Sequence, residues 1–210
     1  GVLVMRTGVP SFIITLGTQL LWRGVVLAVT GGFPITVQRS SALWAVLNGR
    51  FAGRLRTSAF WLLGVAIVLW FVLAKTRYGN WVFATGGGEY AARVQGVPTK
   101  RVKVVNFVVS SSLAGFAGCI QFSRFFSIDP ARGQGLELEA IAAAVIGGAL
   151  MTGGYGSVIG AVMGALLFGM VRSGLVMAGA SPYYYQAFIG VVLGIAAVIN
   201  LWLKRKWVGI

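Results

Sequence analysis

Long apolar stretches separated by short polar or basic segments organise this chain. Six stand out, at residues 11–30, 59–74, 104–122, 138–151, 158–177 and 186–203. A helix needs about 20 residues to cross hydrocarbon some 30 Å thick, and most of these stretches approach that length. The first follows Pro10, which suits a helix's first turn because its missing N–H is not needed there. The fourth is too short to span comfortably. The pattern predicts an all-α fold, a polytopic transmembrane helical bundle with short or re-entrant helices, formed as a single domain over residues 1–210.

Composition strengthens that expectation. Mean hydropathy is +0.83, 57% of residues are hydrophobic and 10% are charged. A soluble domain carries about 25% charged residues, so the polar surface needed to face water is missing. Glycine reaches 31 residues while proline stays at 5, which suits helices packed closely in lipid.

A net charge of +14 raises nucleic acid as a partner, but the placement of the charge argues against it. Lys75, Arg77, Arg93, Lys100, Arg101 and Lys103 cluster in one loop, and Lys204, Arg205 and Lys206 close the last stretch. That is the positive-inside pattern of cytoplasmic segments. With loop and tail both inside, an even number of crossings must separate them, and the third to sixth stretches supply four. Arg6 then also falls inside. Residues 33–57 must lie outside, yet they carry Arg39, Arg50, Arg54 and Arg56 against the charge rule.

The chemistry available is narrow. There is no histidine, and the acids are Glu89, Asp129, Glu137 and Glu139. Metal sites built from His and Cys are excluded, as are Ser-His-Asp and Cys-His arrangements. No phosphate-binding G-x-x-x-x-G-K-[ST] loop occurs. Glu137 and Glu139 begin the fourth stretch, where acids favour a helix N-terminus, and read as outer-surface capping. Cys119 lies in an apolar run and reads as a small packed hydrophobe. Arg23 and Arg172 fall within apolar stretches near ends placed outside, so snorkelling to the headgroups is the preferred reading over a functional pair.

Gly156, Gly160 and Gly164 repeat every fourth residue, and Gly190 and Gly194 repeat the device in the last stretch. Such stripes let another backbone approach, so close helix packing is expected before contact with a transported molecule. The break at Thr152–Ser157, with Gly153, Gly154 and Gly156, admits two readings: non-helical backbone lining a cavity, or a tight cytoplasmic turn. Trp22, Trp44, Trp61, Trp81, Trp202 and Trp207 fall near segment ends or in loops, and Tyr183–Tyr185 precede the last stretch, as interfacial anchors do.

Four blocks carry a resemblance. They are Val9–Gly17 continued by Trp22-Arg23-Gly24 and Thr30-Gly31-Gly32; Arg77–Asn80 leading to Ala84–Val97; Gly135–Gly148, which holds Gly147 and Gly148; and Gly153–Gly160. In order and spacing they resemble the ribose/xylose-type permeases of ATP-binding-cassette sugar importers, within the branched-chain amino-acid permease superfamily. The resemblance implies a multi-pass subunit of the plasma membrane (the bacterial inner membrane) that carries a sugar or related polyol. Its implied partners are cytoplasmic ATPase subunits, a second permease subunit in a homo- or heterodimer, and an extracytoplasmic sugar-binding protein. No cofactor is expected on this chain; ATP and Mg belong to the partner ATPase. Permeases of this kind are longer, so the sequence is expected to be an N-terminally truncated fragment lacking roughly the first third.

The resemblance also implies an ATPase-coupling loop at Glu89, Tyr90, Ala91, Ala92, Arg93 and Gly96, on a short helix predicted at 89–95. The E-A-A-x-x-x-G coupling pattern is matched by Ala91-Ala92 and Gly96, but Tyr90 stands where its acid would sit. Arg39, Arg50, Arg54, Arg56, Arg124 and Arg132 are the residues expected to meet acids on the binding protein. Competing readings are a branched-chain amino-acid cargo for the same machinery and an ion-coupled secondary transporter, against whose proton-driven form the scarcity of intramembrane acids speaks. A membrane enzyme has almost no residues to do its chemistry.

Overall fold

The computed structural model describes residues 1–37, 43–51 and 55–208. Helices dominate. They are α1 (Val2–Thr7), α2 (Ser11–Thr30), α3 (Leu43–Asn48), α4 (Thr57–Lys75), α5 (Arg77–Gly87), α6 (Glu89–Val94), α7 (Thr99–Phe125), α8 (Leu136–Ile146), α9 (Val158–Met177) and α10 (Pro182–Val208). Among the described residues four helices, α2, α4, α7 and α9, are long and apolar enough to cross a membrane. Their outward faces are apolar and uncovered: Val29 is 81% exposed, Ile67 63% and Met170 71%, which in water would be a large penalty and in lipid is none.

The fourth predicted stretch is shorter as a helix than its apolar run. α8 has 11 residues, about 16 Å of rise, because Gly148 takes φ +89° and turns the chain out of the helix. Four two-residue strands were not anticipated: β1 (Ile35–Thr36) pairs antiparallel with β4 (Ser127–Ile128), and β2 (Arg50–Phe51) pairs with β3 (Leu55–Arg56).

The chain forms two compact units. One comprises residues 1–65 and 98–132. Within it, the Trp61 indole stacks edge-on against Phe116 at 5.2 Å and its N–H donates to the Val46 carbonyl at 3.2 Å. Trp61 therefore ties α4 to α7 and to the end of α3, beyond the anchoring expected of it. The other unit comprises residues 66–97 and 133–210. Its core is Ala142 and Ala143 of α8 against Phe168 of α9, with Tyr185, Phe188, Ile189, Val192 and Leu193 of α10 packed around them. Phe168 meets Phe188 at 5.8 Å with tilted rings.

Glycine makes the α8–α9 contact possible. A Cβ on Gly147 would fall on the Gly160 carbonyl, one on Gly160 on the Gly147 carbonyl, and one on Gly164 on the Ala143 carbonyl. The two backbones touch with no side chain between them. The expected four-residue stripe is thus only partly used. Gly156 precedes α9 and its Cβ would meet Ala149 at an ordinary 3.4 Å, while Cβ atoms on Gly190 and Gly194 would meet nothing within 4 Å.

Candidate functional site

The loop between α4 and α7 folds into two short helices. Thr76 caps α5, its hydroxyl accepting from the Gly79 N–H at 3.4 Å. A Cβ on Gly79 would collide with the Leu73 carbonyl, so glycine there lets α5 fold back tightly against the end of α4. Burial pushes the Tyr78 phenol above its ordinary pKa, so it stays protonated.

The α5–α6 junction keeps its hydrogen bonds: Gly88 N–H donates to Ala84 at 3.1 Å and Ala92 N–H to Gly88 at 2.9 Å. α6 then ends in a Schellman motif. Val97 N–H donates to the Ala92 carbonyl and Gly96 N–H to the Arg93 carbonyl, both at 3.0 Å, with Gly96 at φ +83°. A Cβ at Gly96 would meet nothing within 4 Å, so the left-handed backbone, not crowding, calls for glycine there. Ala92 is buried and seats the helix. Tyr90, Ala91, Arg93 and Val94 face outward, with Tyr90 83% and Val94 73% exposed. Glu89 pairs with Arg93 at 3.1 Å one turn on. The six residues expected in a coupling loop are therefore one capped helix with an uncovered, partly apolar face.

The glycine-rich break is a tight turn. Leu150 N–H donates to Tyr155 and Gly153 N–H to Leu150, both at 3.0 Å. This turn lies backbone to backbone against the end of α5, where a Cβ on Gly86 would stand 2.5 Å from the Gly154 nitrogen. Sequence reading left Gly86 and Gly87 without a role. The available signal was the matching glycine pair in the second loop.

At the opposite ends of α8 and α9 the ionic groups come together. Arg172 lies 4.0 Å from the Glu139 carboxylate and 5.5 Å over the Tyr185 ring. The Arg172 side chain stays 58% exposed, compatible with the snorkelling expected of it, while Glu139 on the neighbouring helix lies within reach. Glu137 and Glu139 lie in the first turn of α8, as expected of acids at a helix N-terminus, and Glu139 also reaches across to α9.

The arginines expected on the outer surface fall into separate groups. Arg39 and Arg54 lie outside the described residues. Arg50 and Arg56 are register partners in the β2–β3 pair. Arg124 and Arg132 lie over the Phe125 ring at 5.3 and 4.3 Å, and Arg132 also donates to the Ser127 carbonyl at 2.9 Å. Arg132 thus braces β4 whatever else it meets. Among the described residues no group of three or more His, Cys, Asp or Glu is placed to hold a metal ion.

Known families decide where the chain belongs. The family described as branched-chain amino acid transport system / permease component matches residues 1–197. The chain is a member of that family. Among the permease relatives, the ribose import permease protein RbsC of Escherichia coli K12 is 36% identical over 204 residues, covering 95% of this chain and 63% of the relative. The RbsC protein of Bacillus subtilis 168 is 35% identical over 201 residues, covering 95% and 62%. The xylose/arabinose import permease protein XylH of Sulfolobus acidocaldarius is 32% identical over 206 residues, covering 98% and 56%. The chain therefore spans less than two thirds of the length of these permeases. No solved structure matches it. This permease chain is a multi-pass protein of the inner membrane, and its helical architecture is that of the family.

Proposed function

We propose that this chain is part of the membrane-spanning subunit of an ATP-binding-cassette importer that moves a sugar or polyol handed over by an extracytoplasmic binding protein. The observation that carries the reading is α6: a capped helix whose Tyr90, Ala91 and Val94 face is uncovered and which is followed in sequence by the basic residues Lys100, Arg101 and Lys103. A short rigid helix of this kind suits docking in a groove on a cytoplasmic ATPase. There it converts nucleotide-driven closure into movement of the helices attached to it. ATP and Mg sit on the ATPase subunits, a second permease subunit completes the pathway, and the chain itself performs no hydrolysis. Similarity to ribose and xylose/arabinose import permeases supports a pentose-like cargo.

The outer docking reading rests on charge: arginines in the β2–β3 segment and beside β4 would gain from an acidic partner. Charge reversal at Arg50, Arg56 and Arg124 is expected to slow receptor-dependent uptake and weaken its salt dependence. A second reading, branched-chain amino acids as cargo, draws on the family's description.

Co-purification tests the main reading. The full-length permease should bring down its ATPase subunits, and Tyr90→Ala with Ala91→Glu, both exposed and outside any core, should abolish that association. ATP-driven, receptor-dependent uptake of D-ribose or D-xylose should disappear with it. Uptake driven by an ion gradient without ATP would overturn the proposal.

A further inference from the structure

Two glycine pairs far apart in sequence, Gly86-Gly87 at the end of α5 and Gly153-Gly154 in the turn before α9, meet without any side chain between them. A Cβ on Gly153 would lie 2.9 Å from the Gly86 carbonyl oxygen, and one on Gly154 2.8 Å from the Gly87 Cα. Gly153 and Gly154 hold φ +86° and +85°, so glycine is required there by backbone conformation as well as by space.

We infer that this contact is a backbone latch whose glycines are positioning residues for transport, fixing α6 to the α8–α9 pair so that they move as one body. The inference rests on α6 being the element an ATPase grips. Side chains between two elements give compliance, because rotamers can change as the elements slide. Peptide groups in direct contact offer no such freedom. The stiffness continues on both sides. Toward α6, the Ala84–Gly88 and Gly88–Ala92 hydrogen bonds run through the junction. Toward the membrane, Gly147 meets Gly160 and Ala143 meets Gly164 backbone to backbone. The Glu139–Arg172 pair lies at the other end of the same two helices. Val158 to Arg172 is about 21 Å of helix, so a displacement imposed at α6 is carried most of the way across a bilayer.

Spin labels test this directly in the full-length permease assembled with its ATPase and binding protein. Gln95, at the end of α6 and not among the docking residues, and Tyr155, both exposed, carry the two nitroxides, and their separation is measured without nucleotide and with ATP and vanadate. The latch predicts one narrow distance in both states. A shift of more than about 2 Å between states overturns it.

Gly87 supplies the graded variant, since a Cβ there would stand 3.8 Å from the Gly154 Cα in ordinary contact. Gly87→Ala is expected to behave as wild type. Gly87→Leu should wedge the contact, broaden the distance distribution and lower receptor-stimulated ATP hydrolysis at least roughly five-fold, with ATPase association and basal hydrolysis kept. Full receptor stimulation in a folded Gly87→Leu protein also overturns the inference. If wild-type permease fails to bind the ATPase, the functional reading falls instead, while the nucleotide-free distance in Gly87→Leu still decides whether the contact is a latch.

Discussion

Replacing Gly160 by alanine adds one methyl group to a helix, which by propensity alone favours folding by about 0.5–1 kcal/mol. In this protein the methyl would fall on the Gly147 carbonyl oxygen, well inside van der Waals contact. Neither neighbour can rotate away, because both are backbone. α9 must therefore retreat from α8 by about 1 Å, and a gap of roughly that size forfeits a quarter to a half of each dispersion contact along the interface. Phe168, which is 1% exposed between Ala142, Ala143 and Phe188, lies two turns along the retreating helix. Overpacking of this kind costs about 1–3 kcal/mol, and the loss at Phe168 places Gly160→Ala toward the upper end. Gly169→Ala and Gly174→Ala on the same helix are internal controls, since their Cβ atoms would meet nothing within 4 Å and should leave stability unchanged or raised. Denaturant-induced unfolding in mild detergent, followed by tryptophan fluorescence, gives the comparison. Equal midpoints for Gly160→Ala and Gly169→Ala would refute the claim that α8 and α9 touch through their backbones.

Arg172→Met should destabilise the protein by up to about 1 kcal/mol, since the Arg172 side chain is 58% exposed and 4.0 Å from Glu139, and adding Glu139→Gln should recover part of that loss. A double-mutant cycle in the same unfolding assay reads the coupling, and strict additivity would contradict the pairing. The Thr85 hydroxyl is buried with no hydrogen-bond partner among the described residues, so Thr85→Val should be neutral or stabilising by up to about 1 kcal/mol in that assay; a clear loss would reveal a partner for it. Gly96→Ala forces a left-handed alanine at the end of α6, at a cost of about 1–2 kcal/mol, and hydrogen exchange at the Gly96 and Val97 amides should quicken while α9 keeps its protection.

The apolar stretches were readable because lipid imposes length and composition on any helix that crosses it. Residues 11–30 and 158–177 coincide with α2 and α9 for that reason. α6 was readable too, since the Gly96 cap fixes where so short a helix stops. What escaped the sequence were relations between distant segments. Spacing alone made Gly156, Gly160 and Gly164 equivalent, yet only the latter two face α8, because α9 starts after Gly156. Arg172 looked like a lone charge near a helix end, since its partner is 33 positions earlier on another helix. The meeting of Gly86 with Gly154 has no local signature, as each pair alone looks like an ordinary turn.

The side of the membrane on which α6 lies is the point from which everything else follows. With Cys119 and any cysteine outside these 210 residues changed to alanine, Tyr90→Cys gives a single thiol on the exposed face of that helix. A membrane-impermeant maleimide should label it in inverted vesicles, remain excluded in right-side-out ones, and lose access when ATPase subunits are bound. Labelling from the outer face of intact cells would contradict the account.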